Sequence, residues 1–442
     1  MKNKLSPAKT VLLGFLLLIL IGTFLLQLPI ATPGNGRAHL IDSFFTATSA
    51  ICVTGLVVVD TGSYWSHFGQ IVILILIQLG GLGYMTMASI ILLFLRRKIT
   101  LEDRLAIKES MDQFSLSSLM HFIVQVLKAT LLIESVGAVI LFFCWVGKLG
   151  ATNAFYNAVF NSISAFCNAG FSLFSNNFED YKGNIAVNVT IMFLVITGGI
   201  GYNVIRDIYH RWVKGKRKHF YLHTKSVLIM TAILIISGAV LIFLFESLNP
   251  SVFSTLTLKE KILVSFFQSV TPRTAGFNTL PIGQFSVQTL FLLIIFMFIG
   301  ASPGGTGGGI KTTTFLVLLS STWALIRNKK DVEIFERRLP QDTILKAFAI
   351  FIIGLSLVIV ITFFMLFSEG KGFIPVLFEV VSAFGTVGLS TGITPSLSVM
   401  GKLFLVMTMF VGRVGLLTFL AVFISTKQKL LYRYAEEKIL VG

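Results

Sequence analysis

Phe44-Phe45-Thr46-Ala47-Thr48-Ser49-Ala50-Ile51-Cys52-Val53-Thr54-Gly55-Leu56-Val57 is the stretch whose reading decides the fold. Phe45 precedes Gly55 by ten residues, and the spacing returns at Phe160 and Gly170, Phe266 and Gly276, and Phe378 and Gly388. The glycines at 55, 170, 276 and 388 lie 115, 106 and 112 residues apart, each copy between long apolar runs. Self-similarity at a nearly fixed period means one structural unit used repeatedly. Each unit reads as a short helix that stops at a glycine turn within a membrane. Non-helical backbone at that depth survives only where protein or a water-filled cavity satisfies it. The expectation is an all-α integral membrane fold with four helix–pore loop–helix repeats in a pseudo-fourfold arrangement around one pore.

Composition agrees. Charged residues make up 13% of the chain, against about 25% in soluble domains, and hydrophobic residues 55%, with a mean hydropathy of +0.85. The run Val11 to Ile30 carries no charge and is about as long as the ~20 residues a bilayer span needs. It exceeds a signal-peptide core of ~7–15 residues and lacks a small-x-small cleavage site, so it reads as a retained helix. Three cysteines (Cys52, Cys144, Cys167) do not make a disulfide framework. Cys52 and Cys167, each three residues before a repeat glycine, read as small packing residues. The six histidines show no metal spacing and read as interfacial.

A net charge of +16 would suggest nucleic acid in a soluble protein, but 25 of the 36 Lys and Arg fall at 2–9, 96–108, 206–225, 327–346 and 427–438. These are the two ends and the three junctions between units. The positive-inside rule places all five in the cytoplasm, so both termini are expected inside a multi-pass plasma-membrane protein, and the glycine loops dip in from outside. The basic clusters are topology signals first and contacts to anionic membrane lipids second, with no role for nucleic acid.

The chain divides into repeat one (1–98), repeat two (99–212), repeat three (213–326), repeat four (327–426) and a cytoplasmic C-terminal tail (427–442). Outgoing helices are expected at about 10–30, 121–147, 226–246 and 342–368. Short pore helices are expected at 41–52, up to Phe166, 258–270 and 373–384. Return helices are expected at 69–96, 184–210, from 285, and at 399–425. That gives eight spans and four half-spans, with no stretch left for a soluble domain.

Glycine permits positive φ, which other residues resist. Successive carbonyl oxygens can then face one axis and replace the water shell of a monovalent cation, as in potassium-channel filters. The candidate ion-binding lining is Val53, Thr54 and Gly55; Asn168, Ala169 and Gly170; Thr274, Ala275 and Gly276; Thr386, Val387 and Gly388. None is charged, which disfavours a divalent-selective carboxylate ring. Gly80-Gly81-Leu82-Gly83, Gly198-Gly199-Ile200-Gly201 and Gly412-Arg413-Val414-Gly415 recur in return helices, where small residues allow close packing.

Arg413 stands alone in a run uncharged from Leu403 to Thr426. A cation there is costly unless it faces water or a partner, so it is expected to project into the conduction path as a pore barrier. The alternative is a pairing with helix carbonyls or with Glu134. In repeat three, residues 300–314 interrupt the return helix: Gly300, Ala301, Ser302, Pro303, Gly304, Gly305, Thr306, Gly307, Gly308, Gly309, Ile310 and Lys311 lead into three threonines. Proline and five glycines strip helical preference, and a broken helix at the midplane is a gate candidate. A phosphate-binding loop would need lysine directly after its second glycine and a strand before it. Ile310 intervenes, and membrane helix precedes.

This set of features resembles the Trk/Ktr/HKT superfamily of potassium transporters over essentially the whole chain, most of all its bacterial KtrB-type membrane subunits. The resemblance implies potassium over sodium, since Gly55 stands where a serine would go with sodium preference. It implies an intramembrane gate loop at 300–314 and a pore arginine at Arg413. It further implies a homodimer with a pore in each subunit, aided by the tail from Tyr434 to Gly442. A separate cytosolic RCK-type (KtrA-like) regulatory ring would bind ATP or ADP, with NAD(H) as a further ligand to consider. This chain would carry potassium as substrate and no covalently bound cofactor; sodium activation, reported for some relatives, is left open. A sodium-coupled or sodium-selective symporter with alternating access is the competing reading. The equal orientation of the four repeats disfavours it. An enzyme would need clustered acid, base or nucleophile groups, whereas Glu134, Arg413 and Lys311 are scattered.

Overall fold

Apolar runs of 20 to 31 residues become four long helices in the computed structural model, which describes residues 7–83, 119–212, 215, 219–421 and 437. These are α1 (Pro7–Leu26), α4 (Leu119–Leu149), α8 (Leu222–Ser247) and α12 (Gln341–Glu369), all long and apolar enough to cross a membrane. Their outward faces carry exposed Phe24, Phe143, Ile236 and Phe363, the arrangement expected where lipid replaces water as solvent. Just before α12 a two-stranded hairpin pairs β1 (Glu333–Ile334) with β2 (Arg337–Arg338).

Each long helix packs on a short one that follows it: α2 (Leu40–Ile51), α5 (Ala151–Phe166), α9 (Leu258–Val270) and α13 (Phe373–Gly385). At 12 to 16 residues these are half-spans. The start of α9 is a capping box, in which the Thr257 hydroxyl accepts from the Glu260 amide and the Glu260 carboxylate accepts from the Thr257 amide. Such reciprocal bonds satisfy donors that a helix start leaves open.

The return segments are α3 (His67–Leu82), α6 (Ile185–Gly199) with α7 (Tyr202–Trp212), α10 (Val287–Phe298) with α11 (Thr312–Ile326), and α14 (Val399–Val414) with α15 (Leu416–Ala421). Here the structure corrects the sequence reading, which expected a break only in repeat three. The fourth return segment breaks at Gly415 (φ 92°) and the second at Gly201 (φ 93°), while α3 ends before Gly83 (φ 80°). α6 and α7 meet at a 101° bend. A left-handed glycine cannot continue a right-handed helix, so the last glycine of each glycine-rich motif is a stop. The far part of the first return helix, most of the 97–120 junction and the C-terminal tail apart from Glu437 lie outside the described residues.

Packing is cyclic. α3 packs on α5, α6 on α9, α10 on α13 and α14 on α2. Each return segment thus leans on the short helix of the next unit, and the last leans on the first. The closing contact includes an ion pair from Lys402 Nζ to Asp42 Oδ1 at 2.9 Å, with both side chains largely withdrawn from solvent.

The first glycine of the motifs explains the closeness. A Cβ on Gly198 would overlap the Phe166 carbonyl oxygen at the end of α5, as Gly80 would overlap that of Ile51 and Gly412 that of Phe384. We expect Gly198→Ala to cost ~1–3 kcal/mol through overpacking and to lower the apparent Tm of the detergent-solubilised protein. Gly147→Ala in α4, where an added methyl meets nothing within 4 Å, should leave it unchanged. Equal melting of the two variants would refute this account of the motif.

Candidate functional site

Four short segments follow the short helices, and their backbones share one pattern. The residue two before each repeat glycine is left-handed: Val53 (φ 55°), Asn168 (φ 58°), Thr274 (φ 73°) and Thr386 (φ 51°). The glycines are left-handed as well, at φ 89°, 71°, 75° and 91° for Gly55, Gly170, Gly276 and Gly388. Positive φ is uncommon for any residue with a Cβ and a genuine outlier for a β-branched one, and Val53, Thr274 and Thr386 are β-branched. Eight left-handed residues at matching positions, four of them not glycine, are a built feature.

The four glycines also meet in space. A Cβ on Gly55 would lie 2.8 Å from Gly170 Cα, one on Gly170 3.1 Å from Gly276 Cα, one on Gly276 3.2 Å from Gly388 Cα, and one on Gly388 2.9 Å from Gly55 Cα. The chain of contacts closes on itself. All twelve lining candidates are thus brought together, and the eight that are not glycine (Val53, Thr54, Asn168, Ala169, Thr274, Ala275, Thr386, Val387) are each 0% exposed.

Sequence reading missed what holds these segments. Ser49 Oγ accepts from Gly55 N at 3.0 Å, and Ser382 Oγ from Gly388 N at 3.1 Å. Ser164 Oγ donates to Phe171 O at 2.7 Å, and Thr271 Oγ1 to Phe277 O at 2.6 Å. The serines stand six residues before their glycines, Thr271 five before Gly276. Counted from the hydroxyl instead of the glycine, the buried aromatic lies four residues earlier in every unit: Phe45, Phe160, Phe267 and Phe378, all at most 2% exposed. Phe266, the sequence-based choice, is 41% exposed. Unit three is one residue shorter between hydroxyl and glycine, and that shift misdirected the spacing. Also missed was Arg273, 3% exposed, whose Nη2 donates to Thr231 Oγ1 at 3.1 Å.

The loop at 300–314 lies against these segments. Thr306 Oγ1 donates to Phe166 O at 3.4 Å, and Gly308 N to Thr386 Oγ1 at 2.9 Å. Ser302 N bonds Gly199 O at 3.0 Å, Thr306 N bonds Gly198 O at 3.2 Å, and Tyr202 N bonds Gly304 O at 3.0 Å. The loop therefore joins the second return segment at its bend. Ile299 and Ile310 bridge its ends, with Gly300 and Ala301 tucked between, and a bond of 2.8 Å joins the Ser302 and Thr312 hydroxyls. Pro303 and Gly305 are half-buried, Gly304 is exposed, and Gly307 and Gly309 are enclosed to differing degrees. Lys311 Nζ donates to Gly307 O at 2.7 Å. A helix precedes the loop, as the argument against a phosphate-binding loop required.

Arg413 reaches the same loop. Its guanidinium donates to the Thr306 and Gly80 carbonyls. That is carbonyl pairing, not a bond to Glu134, whose carboxylate accepts from Gln78 at 3.4 Å and lies 3.9 Å from Cys167 Sγ. Cys52 and Cys167 are free and buried, and among the described residues no three His, Cys, Asp or Glu side chains gather as a metal site.

The family model described as cation transport protein, TrkH, matches residues 14–432. The chain belongs to this family. It is 41% identical to Ktr system potassium uptake protein B of Bacillus subtilis (strain 168) over 440 residues, covering 99% of this chain and 97% of the relative. The protein of the same name from Vibrio alginolyticus is 38% identical over 442 residues, covering 100% and 96%. Potassium/sodium uptake protein NtpJ of Enterococcus hirae is 36% identical over 449 residues, covering 100% and 98%. The crystal structure of the potassium transporter TrkH from Vibrio parahaemolyticus superposes with a TM-score of 0.70 at 19% identity, covering 96% of this chain and 86% of that one, a likeness of fold. As a TrkH-family member the chain is a multi-helix membrane protein of a transporter family.

Within this TrkH-family chain, Arg413→Ala removes both carbonyl contacts and a positive charge. We expect cation flux into proteoliposomes to rise several-fold. Flux that is unchanged or lower at equal amounts of folded protein would make Arg413 a purely structural brace.

Proposed function

We propose that the chain carries potassium across the plasma membrane through a gated, channel-like pore, with the four glycine-containing segments as its selectivity filter. The paired left-handed residues carry the reading. Alternation between left-handed and ordinary backbone turns successive carbonyls to one side of a strand. Four such strands in mutual contact offer a cage of uncharged oxygens, the chemistry that replaces the hydration shell of a monovalent cation. Four repeats around a pseudo-fourfold axis, at the boundaries read from the sequence, would place that cage centrally. The driving force is the membrane potential, worth ~2.3 kcal/mol per unit charge per 100 mV, so this chain needs no ATP.

In this reading the 300–314 loop is the gate beneath the filter, and Arg413 the electrostatic barrier beside it. The names of the two 41% and 38% identical relatives support potassium as cargo and, through the word system, a companion subunit. We assign that role to a separate cytosolic nucleotide-binding subunit, acting on a homodimer whose termini face the cytoplasm. A second reading, a sodium-coupled or sodium-selective carrier, is favoured by the potassium/sodium name of the 36% identical relative.

The deciding experiment compares potassium and sodium uptake into liposomes holding the purified chain, with a form lacking Gly304 to Gly309 alongside to remove a closed gate. Potassium flux well above sodium, and higher in the deleted form, is expected. Equal or sodium-favoured flux in both forms would overturn the filter and leave the carrier. Unchanged potassium flux after deletion would remove the loop from gating.

A further inference from the structure

Three residues before each anchoring hydroxyl, every short helix carries a polar side chain: Thr46, Asn161, Gln268 and Glu379, all at most 3% exposed. The fourth is a carboxylate, and its bonds run to one place. Glu379 Oε1 accepts from Ser390 Oγ at 2.7 Å, Thr391 N at 2.9 Å and Thr391 Oγ1 at 3.1 Å. Its Oε2 accepts from Thr394 Oγ1 at 2.7 Å. All these donors lie on the segment that leaves Gly388 toward the outer side. Gln268, by contrast, has neither end of its amide bonded to protein, and Asn161 leaves its oxygen unbonded.

The fourth strand is thus held at two points. Below, the Ser382 hydroxyl bonds Gly388 N. Above, Glu379 gathers the next six residues onto the same helix. Repeat three then closes the remaining side, because a Cβ on Gly283 would come within 2.7 Å of the Thr391 carbonyl oxygen. A strand fixed at both ends cannot shift its carbonyls to follow a smaller ion. Four hydrogen bonds from one segment to one fully buried side chain also make a firm fixture.

We propose that Glu379 is the positioning residue for selectivity: by fixing the outer end of the fourth filter strand, it sets the discrimination of potassium from sodium. The inference rests on the filter reading above. Glu379 acts through residues 388–394 and touches no ion itself.

The test measures potassium and sodium uptake in liposomes by the wild-type chain, Glu379→Ala, Glu379→Gln and the double variant Ser390→Ala/Thr391→Val. The wild-type ratio judges the filter reading, and this inference falls with it if that ratio is near one. Given a selective wild type, Glu379→Ala should lower the potassium-to-sodium ratio about tenfold, or ~1.4 kcal/mol of discrimination, and raise the apparent KM for potassium. Glu379→Gln keeps an acceptor toward Thr391 and can donate to Thr394, so it should stay within about twofold of wild type. If Glu379→Ala fails to fold, the double variant decides, because it leaves the carboxylate in place and removes two of its donors. Potassium and sodium uptake falling in proportion, with the ratio unchanged in every folded variant, would make the contact merely structural and overturn the proposal.

Discussion

The left-handed backbone at Val53, Asn168, Thr274 and Thr386 costs on the order of 1–3 kcal/mol at each position, and it stands only because the surroundings leave no alternative. The short helices supply that constraint. Their last turns accept from the segment that follows: Thr54 N, Ala169 N and Val387 N donate to the carbonyls of Ser49, Ser164 and Ser382, each at 2.8 Å, and Ala275 N donates to Thr271 O at 2.9 Å. The hydroxyls of the same four residues then take the next backbone group. One residue per unit thus clamps the strained segment twice, through its main chain and its side chain.

The clamps would be useless if the short helices could drift, and the return segments prevent it. Gly80, Gly198 and Gly412 let those segments lie against the carbonyls that end α2, α5 and α13. Close approach of backbones is what small residues provide in a membrane, where hydrophobic burial between helices gives little. Three residues later a left-handed glycine ends the helix. The opposite ends are fastened by carboxylates: Glu246 accepts from the Ser286 amide and hydroxyl, and Glu369 from those of Ser398. Each pair bonds the end of a long helix to the first turn of its return segment.

Much of this was legible in the sequence because it repeats. The short helix at 258–270 is found at those residues, and those of units one and four are placed within a residue of expectation. The breaks at Gly201 and Gly415 were not foreseen, because a glycine in an apolar run suits close packing and a stop equally well, and only its φ separates the two. Phe266 was preferred to Phe267 because spacing was counted from the glycine, across the one segment that is a residue shorter. Glu379 and Ser390 are eleven residues apart, Glu246 and Ser286 forty. Partners brought together by folding leave no local pattern to read.

On the proposed reading, Arg413 ties the barrier and the gate to the same parts. A half-buried guanidinium in an apolar run needs acceptors, and here the Thr306 and Gly80 carbonyls supply two. Thr306 belongs to the loop, and Gly80 to a return segment wedged against α2. Any displacement of the loop therefore strips Arg413 of one acceptor and gives it reason to turn elsewhere. On the proposed reading, steric closure by the loop and electrostatic closure by the arginine are not two gates in series. They are one device, joined by a hydrogen bond, and a force applied to the loop from the cytoplasm would act on both at once.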